Sequence, residues 1–160
     1  MPYRYRVNDW IYENENLNRA RSQQVRKAGG EWLEQYPWQS YATLEFKRDT
    51  TAHTAKALYK SFITRFGPKF FSAFAVENHR YRHSVHLHCL MGGLFNTNPW
   101  PIIKSWRKLY GSAYIYRYDP EKPARFYIWK FQTNHSCEFE LYLPDEAKGQ
   151  PQLDVRPETR

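Results

Sequence analysis

The stretch Glu77-Asn78-His79-Arg80-Tyr81-Arg82-His83-Ser84-Val85-His86-Leu87-His88-Cys89-Leu90-Met91 decides how the chain is read. From Ser84 to Cys89 polar and apolar residues alternate. Val85, Leu87, Cys89 and Met91 form one apolar parity, and Ser84, His86 and His88 form the other. A period of two is the signature of a strand with one face in a core, and it sets two imidazoles side by side on the opposite face. Upstream, Phe70 to Asn78 reads as a second strand, apolar at Phe70, Phe74 and Val76 and charged near its end at Glu77. A two-residue hairpin loop at Tyr81-Arg82 sets Glu77 opposite His86, so a carboxylate joins the two imidazoles. His79 and His83 flank the turn and read as solvent or nucleic-acid contacts.

The segments on either side extend this hairpin into a fold. Tyr41 to Lys47 alternates as a strand, with Ala42, Leu44 and Phe46 apolar and Tyr41, Thr43, Glu45 and Lys47 polar. Asp49, Thr50 and Thr51 supply N-cap oxygens for a helix to about Phe66, whose stripe of Ala55, Leu58, Tyr59, Phe62 and Ile63 covers the sheet. Pro99 to Tyr110 is a second helix with Ile102, Ile103, Trp106 and Leu109 on one side, stopped by Gly111. Ser112 to Tyr118 is a strand dominated by Tyr114, Tyr116 and Tyr118, with Ala113 and Ile115 contributing little. The order strand, helix, strand, strand, helix, strand predicts an α+β, ferredoxin-like (split βαβ) fold. Its antiparallel sheet holds the His86 strand centrally, with helices packed on one face and the active site on the other. Pro123 to Gln132 reads as a short aromatic helix and Cys137 to Leu143 as a last strand.

Residues 1–40 are basic and read as a helical extension, with a helix from about Leu17 to Ala28 that stops at Gly29-Gly30 and a short piece from Glu31 to Tyr36. Residues 41–143 form the central domain, and 144–160 read as a disordered tail.

Twenty-four Lys and Arg against 16 Asp and Glu leave a net charge of +8, and 18% of residues are aromatic. A basic surface interleaved with Tyr and Trp favours nucleic acid over neutral ligands. Cys89 and Cys137 are too few for a disulfide framework and form no C-x-x-C pair, so both read as reduced thiols of a cytoplasmic protein. No run of about 18 apolar residues indicates a membrane partner.

Glu77, His86 and His88 make an open three-ligand site for a divalent ion, and a mixed imidazole and carboxylate set accepts Mg2+ or Mn2+. Cys89 falls on the opposite, apolar parity, and the lack of cysteine ligands beside the histidines argues against structural zinc. Tyr127 and Lys130 lie three residues apart and share a helical face. A tyrosine hydroxyl there is suited to attack a phosphate polarised by the ion, with Lys130 offsetting the charge that develops.

These residues resemble the HUH endonuclease superfamily, and within it the single-tyrosine initiators of rolling-circle replication. His86-Leu87-His88 matches the histidine, bulky apolar, histidine motif, and Tyr127-Ile128-Trp129-Lys130 matches Tyr-x-x-Lys. Tyr41 to Phe46 is similar to the family's first motif, and Glu77 stands where small viral initiators keep an acidic ligand. The resemblance covers residues 41–132. It implies nicking of a single-stranded origin, free or presented in a hairpin, through a 5′-phosphotyrosine, followed by rejoining in the interior of a host cell. No helicase domain follows, so the resemblance implies a host helicase and polymerase as partners. Single-strand transposases share the histidine pair and one tyrosine and are the alternative within the superfamily. A nonenzymatic RNA or single-strand DNA binding module of the same topology is the rival that needs no metal.

Overall fold

In the computed structural model the described residues are 23–24, 27–94, 98–122, 128 and 137–143. Their elements are a helix α1 over 27–33, β1 (Trp38–Glu45), α2 (Ala52–Ile63), β2 (Phe71–Asn78), β3 (Val85–Gly92), α3 (Trp100–Leu109), β4 (Ala113–Arg117) and β5 (Cys137–Tyr142). The five strands form one antiparallel sheet in the order β4-β1-β3-β2-β5, so β3 is central. This is the expected α+β, ferredoxin-like plan, with β5 added outside β2.

Alternation decides which face each strand buries. Val85, Leu87, Cys89 and Met91 of β3 pack with Ala42 and Leu44 of β1, Phe74 and Val76 of β2, and Ala55, Tyr59, Phe62, Ile63, Ile102 and Trp106 of the two crossover helices. Trp106 is fully buried and makes ring contacts with Phe46, Phe62 and Tyr110 at centroid separations of 5.4, 5.1 and 4.7 Å. Thr51 caps α2, its hydroxyl accepting from the Thr54 amide at 3.3 Å. Gly111 meets a steric requirement: a Cβ there would lie 2.2 Å from the Glu45 carbonyl oxygen, because the chain after α3 runs hard against the end of β1.

The opposite face carries a smaller apolar cluster of Leu33, Trp38, Phe71, Ala73, Ala75, Leu90 and Ile128. Here the structure corrects the expected helix stop at Gly29-Gly30, since α1 runs straight through both glycines. Each glycine costs a helix roughly 1 kcal/mol relative to alanine. Both are buried, and full burial of Leu33 one turn later outweighs that cost. The expected helical piece from Glu31 to Tyr36 accordingly ends at 33, where the Leu33 carbonyl accepts from the Trp38 indole at 2.6 Å. β1 begins at Trp38, so the sheet draws on residues before 41.

The hairpin register is the expected one, Glu77 opposite His86, but the turn is not a two-residue loop. Pairing ends at Asn78–Val85, with a last bond from the His79 amide to the Ser84 carbonyl at 2.7 Å. A two-residue turn of the favoured hairpin type needs positive φ, and among the described residues no non-glycine residue adopts it. A four-residue loop over 80–83 preserves the same pairing. Two further expectations change in β4 and α3. Ala113 and Ile115 are buried core residues, 1% and 8% exposed, while Leu109 is 46% exposed.

Candidate metal centre

The pairing of β2, β3 and β1 builds the site. Directly opposed residues of neighbouring strands share a face. Glu45–His86–Glu77 therefore forms one row across β1, β3 and β2, and Thr43–His88–Ala75 forms the next. Nε2 of His86 lies 2.9 Å from Oε2 of Glu77, Nε2 of His88 lies 2.9 Å from the same oxygen, and the two nitrogens are 3.0 Å apart. The side chains are 18%, 15% and 31% exposed for His86, His88 and Glu77, which leaves the triangle open to solutes on one side.

Hydrogen bonding alone does not satisfy this triangle. Both rings can donate to Oε2 only if each carries a proton on Nε2, and at 3.0 Å that sets two N–H groups against each other. One positive ion facing two nitrogen lone pairs and a carboxylate oxygen satisfies all three donors. Glu77, His86 and His88 can therefore hold a metal ion.

A second layer supports His88. Its Nδ1, on the side away from Glu77, is 2.9 Å from the Tyr41 hydroxyl and 3.4 Å from that of Thr43. The Tyr41 ring lies nearly parallel to the imidazole, at 11°. A ligating imidazole whose other nitrogen is held in this way is fixed in tautomer and in orientation. The sequence sets Tyr41 on the polar side of its strand, within the stretch similar to the family's first motif, and gives it no partner. That shared parity with Thr43 and Glu45 was the available signal, but the pairing of β1 with β3 is needed to see what they face.

The other predicted residues fall as follows. Ser84 precedes β3 and is 6% exposed, and its hydroxyl accepts from the Thr50 amide at 3.1 Å; it anchors the start of α2 and lies outside the site. His79 sets its ring edge-on to His86, with centroids 5.8 Å apart, and His83 is exposed in the loop. Cys89 is fully buried on the helix face, and burial pushes its thiol up to about 12, so it is no nucleophile. Tyr127 and Lys130 lie outside the described residues, as do the rest of the segment 123–136 apart from Ile128 and the tail from Pro144. Ile128 itself is helical and fully buried among Leu33, Phe71, Ala73 and Leu90, on the face that carries the histidines. On that face Tyr114 and Tyr116, paired with Thr43 and Tyr41, are 48% and 62% exposed at the edge of the sheet. Among the described residues no helix is long and apolar enough to cross a membrane.

Compared with known protein families, with curated proteins and with solved structures, the chain matches none.

Proposed function

We propose that the protein is a metal-dependent single-strand DNA endonuclease and strand transferase of the HUH replication-initiator type, acting through Tyr127. The observation that carries this reading is the donor triangle of Glu77, His86 and His88 on the open face of a ferredoxin-like sheet. A mixed imidazole and carboxylate donor set accepts Mg2+ or Mn2+.

Glu77, His86 and His88 would hold the ion, which would supply polarisation of a phosphoryl oxygen of the scissile phosphate. The Tyr127 phenol attacks phosphorus and loses its proton to water, and the bond to the 3′ oxygen breaks. The 5′ phosphate is left on tyrosine, and a 3′-hydroxyl takes up a proton. Lys130, a charge at three residues' spacing, offsets the negative charge on the phosphate. Attack by a 3′-hydroxyl on the phosphotyrosine reverses the step and rejoins strands. The net charge of +8 favours a nucleic-acid substrate.

The test is incubation with a library of short single-stranded DNAs and Mn2+, with and without EDTA, resolved on a denaturing gel. A protein–DNA adduct that needs Mn2+ and disappears in Tyr127→Phe is expected. An adduct that survives Tyr127→Phe overturns the nucleophile assignment, and the absence of any adduct across the library overturns the nuclease reading.

A further inference from the structure

His86 and His88 are equivalent in the triangle but not in their support. Nδ1 of His88 is held by Tyr41, whereas Nδ1 of His86 is shielded from solvent and has no hydrogen-bond partner among the described residues. A buried ring nitrogen left in this state is uncommon in folded proteins, and more so in a ring poised to bind a metal. The residue facing His86 from β1 is Glu45. Its carboxylate makes no hydrogen bond or ion pair with any described residue.

The Glu45 backbone is fixed at three points. Its amide donates to the Ser112 carbonyl at 2.9 Å, its carbonyl accepts from the Trp106 indole at 3.1 Å, and the close approach of Gly111 closes off the helix side. Its side chain therefore stands on the site face, one strand away from His86, where opposed Cβ atoms lie about 5 Å apart. A carboxylate on a three-bond stem spans that gap by rotation alone. The orphaned nitrogen and the unpartnered carboxylate are cross-strand neighbours.

We propose that Glu45 is the positioning residue of His86: its carboxylate accepts the Nδ1–H, which keeps Nε2 unprotonated and aimed at the metal, as Tyr41 does for His88. This inference rests on the metal-binding reading of the same site. It makes the first strand a support for both histidines, with Tyr41 and Glu45 two rows apart behind His88 and His86.

The experiment uses the full chain without DNA. Mn2+ affinity is titrated by electron paramagnetic resonance, and the ring nitrogens of His86 and His88 are followed by 15N NMR with and without Mg2+. In Glu45→Ala, Mn2+ affinity is expected to fall about tenfold or more. The His86 nitrogens are expected to move toward a mixture of tautomers while those of His88 hold. Glu45→Gln, whose amide oxygen still accepts, recovers most of the affinity. Glu45→Leu keeps the bulk without the acceptor and repeats the alanine result, which covers any loosening of β1. Wild-type affinity and unchanged His86 signals in both Glu45→Ala and Glu45→Leu overturn the inference, as does the same loss arising from His79→Ala instead. Wild-type protein that binds no Mn2+ overturns the metal reading and this inference together. Protein that binds Mn2+ and cuts no DNA overturns the nuclease reading alone.

Discussion

The Tyr41 hydroxyl lies 2.9 Å from Nδ1 of His88, from a strand that pairs with β3 across 47 residues of sequence. This hydrogen bond couples the first strand to the donor triangle without placing Tyr41 in contact with a metal. It orients one imidazole through the nitrogen that does not ligate.

Removing only that hydroxyl is therefore expected to weaken metal binding while sparing the fold. For Tyr41→Phe a loss of about tenfold in Mn2+ affinity is expected, within the range usual for outer partners of ligating histidines. Isothermal titration checks it, with a thermal melt showing that the melting temperature is held.

Tyr114 and Tyr116 are exposed at the β4 edge on the same face as the donors, and base stacking on such rings contributes about 1–3 kcal/mol per base. The double variant Tyr114→Ala/Tyr116→Ala is expected to bind single-stranded oligonucleotides at least tenfold more weakly and to bind Mn2+ as the parent does. Fluorescence anisotropy in EDTA separates the two effects.

The core has a centre of its own at Trp106, fully buried among Phe46, Phe62 and Tyr110, with its indole donating to the Glu45 carbonyl. Trp106→Ala is expected to cost about 3–5 kcal/mol, the range for deleting a large core aromatic. The midpoint of urea unfolding measures it, and a shift worth less than 1 kcal/mol would contradict this packing.

Glu140 on β5 meets Lys60 and Lys56 of α2, the latter at 3.3 Å. Burial alone would push its carboxyl up, and the two ammonium groups outweigh that and hold it below its ordinary value. A carboxyl depressed in the folded state stabilises above its unfolded pKa, and this stabilisation fades as the pH falls through the folded one. Glu140→Gln is expected to lose about 0.5–1 kcal/mol at pH 7, as half-exposed ion pairs do. The difference from the parent should close as the solution is acidified below the ordinary glutamate range, which denaturant melts across pH can follow.

Much of the fold was legible because β3 alternates from Val85 to Cys89. Parity assigned its core and site faces, and hairpin pairing brought Glu77 to His86 even though the loop has four residues instead of two. Any loop symmetric about Tyr81-Arg82 gives the same register, whether it has two residues or four. What was not legible depends on contacts distant in the chain. Gly29-Gly30 reads as a stop until the burial of Leu33 is known, and Ala113 and Ile115 look unimportant until β4 is seen to cover α3. Tyr41 and Glu45 are merely polar positions on a strand until β1 is laid against β3.

The central place of β3 also bears on how the molecule loosens. Strands at a sheet's margin open in small, frequent fluctuations, whereas one hydrogen-bonded on both sides exchanges its amide protons only when most of the domain opens. The amides of His86 and His88 belong to the second class, and those of Tyr114 and Tyr116 to the first. The donor triangle thus rides on the slowest-opening part of the chain, and the exposed tyrosines on a margin free to adjust to whatever lies across them.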